Sequence, residues 1–246
     1  MKAFLLSAAV IVSLNLHAQG LNGLLKKVSG DTSVNKIISS ASKGKLSTDD
    51  IAAGLKEALN AGVQKGTAQL SAADGFFKNA AVKILMPPEA LKAEKTLRDM
   101  GFSKQVDDAI LSMNRAAEDA AKSAAPVFID AIKQMSIQDA AGILKGGDSA
   151  ATMYLKQKTS LPLTNVFSPI VKESLSKVDA TKYWNSVFTT YNKVPFVKKV
   201  NTDLNAYVTE KALAGIFYQV ALEEQKIRKN PAAQTTDLLK KVFGSK

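Results

Sequence analysis

The stretch that most limits how this chain can fold is LNAYVTEKALAGIFYQVALEEQKIRK, Leu204–Lys229. Inside it, residues 212–222 (ALAGIFYQVAL) offer water little beyond the Gln219 amide and the Tyr218 hydroxyl. A helix there is apolar on nearly every side and has to be buried. The run is far shorter than the roughly 20 residues that a bilayer span requires, and it continues into EEQKIRK. The expectation is a buried central helix that leaves the core at its charged end, with the remaining helices packed around it.

Residues 1–20 read MKAFLLSAAVIVSLNLHAQG. Lys2 supplies a positive start, residues 3–16 an apolar run and Ala18 a small residue at a cleavage point, the pattern of a signal peptide over residues 1–18. A signal anchor is the alternative, disfavoured by the short apolar run. The chain has no cysteine, so it carries neither a lipid on a cleavage-site thiol nor a disulfide in a compartment where disulfides persist. Export to the periplasm or beyond is the expectation, with no transmembrane span in the mature chain. Residues 19–246 suffice for one domain held by packing alone, residues 19–50 being a loosely attached N-terminal segment.

The single histidine, His17, falls in the segment to be removed. A mature chain without imidazole or thiol excludes Ser/His/Asp and Cys/His catalysis and zinc sites built on those ligands. No cofactor and no metal are expected. Charge is uneven: residues 19–155 hold 17 Lys+Arg against 15 Asp+Glu, and residues 156–246 hold 15 against 7. Only Arg98, Arg115 and Arg228 are arginines, which argues against bidentate recognition of phosphate or guanine and so against nucleic acid. A lysine-rich last third suits diffuse attraction to an anionic surface, or simply a solvated face.

Along the chain, residues 21–28 and 34–42 read as two short helices. Ser47 and Asp50 form a capping box for a helix reaching about Leu70, with Gly54, Ala58, Gly62 and Gly66 marking a close approach, either of another helix or of a ligand to bare backbone. Residues 74–88 are not helical: Asp74-Gly75 is a turn, residues 82–86 are a short extended run, and Pro88 opens a helix that stops at Met100-Gly101. Ser103 is read as the next cap, Pro126 as a break, Ser136 with Asp139 as a capping box before Gly146-Gly147, and Asp148 or Ser149 as the cap of residues 150–158. Pro162 begins a new segment, Asp179 caps an aromatic-rich helix, residues 193–200 (KVPFVKKV) are a basic apolar linker, and Thr236 or Asp237 opens a last short helix. Nothing marks a clear domain boundary; the nearest to one is at residues 159–162, where the charge balance shifts. No useful strand pattern appears. The class is all-α, a single bundle of about eight to ten helices around the central one.

The blocks GLKEALNAGV (54–63), DGFFKNAAVKI (74–84), LSMNRAAEDA (111–120), FIDAIKQMSIQDAAGILKGGDSAATMYLKQKT (128–159), LNAYVTEKALAGIF (204–217) and EEQKIRKNPAAQTTDLLKKVFG (223–244) resemble an exported bacterial family known only as a domain of unknown function, family 4197. The likeness is poorest over residues 179–203. It implies a helical exported domain and carries over no activity or site residue.

Adjacent carboxylates on a helix point about 100° apart and do not make a catalytic dyad. Arg115 with Asp119 and Glu224 with Arg228 read as ion pairs. The better functional candidates are Tyr207, Glu210 and Lys211 at helical spacing, a site following if Glu210 is buried near Arg115 or Asp130. The composition favours a non-catalytic exported protein that holds an apolar ligand or lipid, or docks on an anionic envelope surface or partner. The alternative is a glycan hydrolase using two carboxyl groups roughly 5–9.5 Å apart in a cleft.

Overall fold

The computed structural model describes residues 47–178, 181, 184–193, 195–196, 198–230, 233–234 and 236–243. The expectations for residues 1–46, and for Asp179 as a cap, lie outside them.

Helix α1 (Thr48–Ser71) starts directly after Ser47, with Asp49 and Asp50 in its first turn, where carboxylates oppose the positive end of the helix dipole. Residues 72–82 turn repeatedly, and the backbone stays non-helical to Pro87. A single 3-10 turn, Pro88–Ala90, leads into α2 (Leu91–Asp99). This helix ends at Met100-Gly101, with Gly101 at φ 90°, the left-handed stop that only glycine adopts cheaply. Then come α3 (Ser103–Ala121), α4 (Ala124–Lys133), α5 (Ile137–Lys145), α6 (Ala150–Ser176), α7 (Trp184–Tyr191), α8 (Leu204–Lys229) and α9 (Asp237–Phe243). No strand occurs among the described residues. The class is all-α.

Helix α8 packs on α6, α1 and α3, and α1 also meets α4, α5 and α9. Val208, Ala212, Ile216, Phe217 and Val220 of α8 are buried, and the Phe217 ring meets Phe128 edge-on at 5.7 Å, an arrangement that adds about 1 kcal/mol to the burial itself. The glycines of α1 lie against α8. A β-carbon on Gly62 would sit 3.6 Å from the Glu223 β-carbon, and one on Gly66 would sit 3.3 Å from Gln219. Close approach of a helix is therefore what that stripe serves.

Two sequence expectations need correction. Helix α8 is not apolar-buried on every side: Ala206, Glu210, Lys211, Ala214 and Tyr218 form an exposed stripe. Three helices cover three sides, and the small Ala214 and amphipathic Tyr218 tolerate water on the fourth. Pro162 does not begin a segment, and 159–162 is not a boundary, because α6 runs unbroken through Pro162 and Pro169. Each interior proline costs about 3 kcal/mol or more, but Leu155, Leu163, Phe167, Val171 and Leu175 bury one continuous face, worth about 1.5–3 kcal/mol per large side chain. Hydroxyls of Thr159, Ser160 and Thr164 bond back to carbonyls four residues earlier, which bends a helix without ending it.

Caps divide the same way. The Ser136–Asp139 box forms as expected, and the Asp203 side chain accepts from the Ala206 N–H to start α8. Ser103 lies inside α3 and makes no cap bond, the N-cap being Phe102. Ser149 also makes none; the first turn of α6 is capped by Glu224, 72 residues away in sequence, as described next.

Candidate functional site

Among the described residues three carboxylates, Glu118, Glu223 and Glu224, are deeply buried, and each is engaged by bonds that hold the fold. Glu118 accepts from the N–H groups of Phe76 and Phe77 at 3.1 and 3.2 Å and pairs with Arg115 at 2.6 Å. One helical turn before it, Asn114 accepts from the Ile84 N–H and donates to the Ile84 carbonyl, both at 2.8 Å. Spaced four apart on α3, these two side chains strap residues 76–84 to the bundle. The strap is the non-helical run read from the sequence, with Asn114 supplying the hydrogen bonds that a neighbouring strand would supply. Arg115 also reaches Asp74 at 2.7 Å. Its partners are thus Glu118 and Asp74, whereas Asp119, expected opposite it, pairs with Lys122 and accepts from Ser174.

Glu224 accepts from the Ala151 N–H at 3.0 Å and from the N–H and hydroxyl of Thr152 at 2.8 and 2.7 Å. It pairs with Arg228 at 2.9 Å, both side chains being more than nine-tenths buried, and Arg228 also donates to the Ile143 carbonyl. A carboxylate at the first turn of α6 meets bare N–H groups and the positive dipole end. The Glu224–Arg228 pair forms as expected, with the added role of a cap delivered from another helix. Glu223, also buried, pairs with Lys65 and Lys226.

Of the remaining candidates, Asp130 lies in a groove of about 380 Å3 between α4 and α6, with Asp139, Tyr154 and Lys158. The hydroxyl and N–H of Ser136 hold the Asp139 carboxyl below the usual aspartate range, so it stays ionised at neutral pH and cannot donate a proton. Asp130 is two-thirds exposed and faces Lys133 at 3.4 Å. Tyr154 is pushed up by burial and by Asp139.

Half-buried Tyr207 lies beside Glu210 and Lys211 of the exposed stripe of α8, with the Lys211 ammonium 5.6 Å over its ring. Glu210 is exposed, and neither Arg115 nor Asp130 lines the grooves there. On one side of the stripe a groove of about 440 Å3 runs between α8 and the strap, lined by Lys83, Leu85, Met86, Tyr207, Lys211 and Tyr218 among others. On the other side a groove of about 590 Å3 runs between α8 and the start of α6, lined by Met153, Lys156, Glu210, Leu213 and Phe217 among others. Ala214 and Tyr218 line both, so the two meet over one ridge. The Tyr207 hydroxyl donates to the Leu85 carbonyl at 2.9 Å, tying the strap to α8. Burial first, then Glu89 and Glu210, pushes its pKa up, so it remains a proton-bearing donor at neutral pH.

Sequence reasoning missed Leu85, Met153, Leu213 and Ala214 as site residues, because apolar residues read as core. The usable signal was the four-residue recurrence of Ala206, Glu210, Ala214 and Tyr218, small and amphipathic where a core face is large and apolar.

Fold and site together define an all-helical protein with an open, lysine-rimmed apolar groove along one face of α8. The model of the family described as "Protein of unknown function (DUF4197)" matches residues 45–244, and the chain belongs to that family. No curated protein and no solved structure is detectably similar to the chain. No helix among the described residues is long and apolar enough to cross a membrane.

Proposed function

We propose that α8 is the hub of one helical bundle and that its uncovered stripe holds a single-chain anionic amphiphile, such as a long-chain fatty acid, in a non-catalytic exported protein. The hub reading is supported by α8 packing on α6, α1 and α3. The export reading is supported by the signal-peptide pattern of residues 1–18.

One observation carries the binding reading. Leu85, 55% exposed, and Met153, 68% exposed, stand on opposite walls of the paired grooves with Ala214 and Tyr218 between them. Apolar surface left wet in a concave site costs about 25 cal/mol per Å2 until something apolar covers it. Polarity then orients the occupant. The strap-side groove is lined by Lys83 and Lys211 and by no carboxylate. These ammonium groups lie over the rings of Phe77 and Tyr207, at 4.1 and 5.6 Å, and among the described residues neither forms an ion pair. That side takes the acidic head. The α6 side, with Met153, Leu213 and Phe217, takes the hydrocarbon tail.

The test is displacement of a fluorescent anionic probe, 1-anilinonaphthalene-8-sulfonate, by palmitate. Palmitate is expected to displace it at stoichiometric concentration, Ala214→Trp to abolish the effect by filling the ridge, and the double change K83E/K211E to weaken it about tenfold or more. Failure of palmitate to compete, or an Ala214→Trp protein that binds like the parent, refutes the reading.

A further inference from the structure

A second surface is the loop joining α7 to α8, which precedes the groove residues of α8 in the chain. The Asn192 side chain donates to the Val200 carbonyl and accepts from the Val200 N–H, both at 2.8 Å, and the Trp184 indole donates to the Asn201 carbonyl. Trp184, Phe188 and Val200 are buried, with the two rings 4.4 Å apart. The loop therefore leaves and rejoins the protein through a fixed neck. At its tip Phe196 is 107% exposed and sits at φ 66°, left-handed backbone that a bulky residue rarely adopts. Phe76, Phe128, Phe167, Phe188, Phe217 and Phe243 are all buried by contrast. Lys193, Lys198 and Lys199 are exposed around the tip, and residues 180–202 contain no acidic side chain.

We infer that this loop is a membrane-docking element that places the Phe196 ring in the interface of an anionic lipid bilayer, with Lys193, Lys198 and Lys199 against its headgroups. A Phe ring gains by burying its apolar surface at the headgroup–acyl boundary, and each nearby lysine adds attraction to an anionic leaflet. Lysines serve here as compact point charges on flexible stems, which suits a fluid array of phosphates better than a fixed bidentate site. A protein partner fits less well, because a specific interface needs about 800 Å2 from each side and the described residues of the tip present one exposed ring, Phe196, and three ammonium groups. The docking surface is independent of the groove and does not need it to be filled.

The experiment is co-sedimentation of the full chain with vesicles of phosphatidylglycerol and phosphatidylcholine, compared with pure phosphatidylcholine. Binding to the anionic vesicles is expected and should fall as salt is raised. Phe196→Ala should weaken it about tenfold or more, and K198E/K199E should weaken it at least as far. In a Phe196→Trp variant the added indole emission should shift to the blue on anionic vesicles alone. Phe196→Ala should still take up palmitate, so the two proposals fail separately. Indifference of the parent protein to anionic vesicles overturns the inference, as does undiminished binding by Phe196→Ala or an unshifted indole in vesicle-bound Phe196→Trp. The last result would assign the loop to an acidic protein partner or to a solvated lysine face.

Discussion

The Phe76 ring rests directly on the backbone of Gly215: a β-carbon there would come within 2.5 Å of the ring and 3.3 Å of Val82. Glu118 pins the Phe76 N–H, so the ring cannot retreat. Gly215→Ala gains about 1 kcal/mol of helix propensity but overpacks a filled site at about 1–3 kcal/mol. A net loss of up to about 2 kcal/mol is expected in urea unfolding. Gly62→Ala should do the reverse. Its β-carbon would find ordinary contacts at 3.6 and 3.7 Å, and a gain of about 0.5–1 kcal/mol is expected.

Asn114→Ala removes both bonds to Ile84, leaving a buried N–H and carbonyl without partners. Each orphaned group costs about 1–3 kcal/mol, so a total loss of about 2–6 kcal/mol is expected. Limited proteolysis should cut residues 81–87 faster in the variant, and palmitate should bind more weakly because the strap walls the groove. An unchanged cleavage pattern would show that the strap is held by other means.

Glu224→Leu strands the Arg228 guanidinium inside the protein and uncaps α6. Removing one partner of a buried pair costs about 3–5 kcal/mol. The double variant E224L/R228M should recover part of that loss, since no unpaired charge remains. A double-mutant cycle showing simple additivity would contradict the coupling.

Acid should weaken the fold through particular aspartates. Asp74 is held below the usual range by hydrogen bonds from Lys78 and then Arg115, and Asp119 by Lys122 and then Ser174. A carboxyl whose folded pKa lies below its unfolded one leaves the unfolded chain binding more protons. Its contribution is complete above the unfolded value and is lost as pH falls through the folded value. Thermal midpoints should therefore drop below about pH 4. Asp74 has φ 67°, which asparagine tolerates. Asp74→Asn should lower the midpoint at neutral pH and flatten its fall below about pH 4.

Features written in local chemistry were legible in the sequence. The Ser136–Asp139 box, the Gly101 stop and the bounds of α8 depend on a few neighbouring residues, and the sequence reading placed them correctly. What escaped depends on contacts distant in sequence. Proline rules predict a break at Pro162, yet the face buried from Leu155 to Leu175 carries α6 through. Ser149 looked like a cap because nothing nearby reveals that Glu224 takes that place. Of the site, Tyr207, Glu210 and Lys211 were visible as polar residues at helical spacing. Its apolar walls were not, because nothing in the hydrophobicity of Met153 or Leu85 tells which neighbour fails to cover them.

Native mass spectrometry of the protein purified from the cells that make it tests the groove most directly. A single bound amphiphile per chain, released by organic solvent and missing from Ala214→Trp, is the predicted result. A bare mass for the parent protein that stays bare after incubation with palmitate would contradict it.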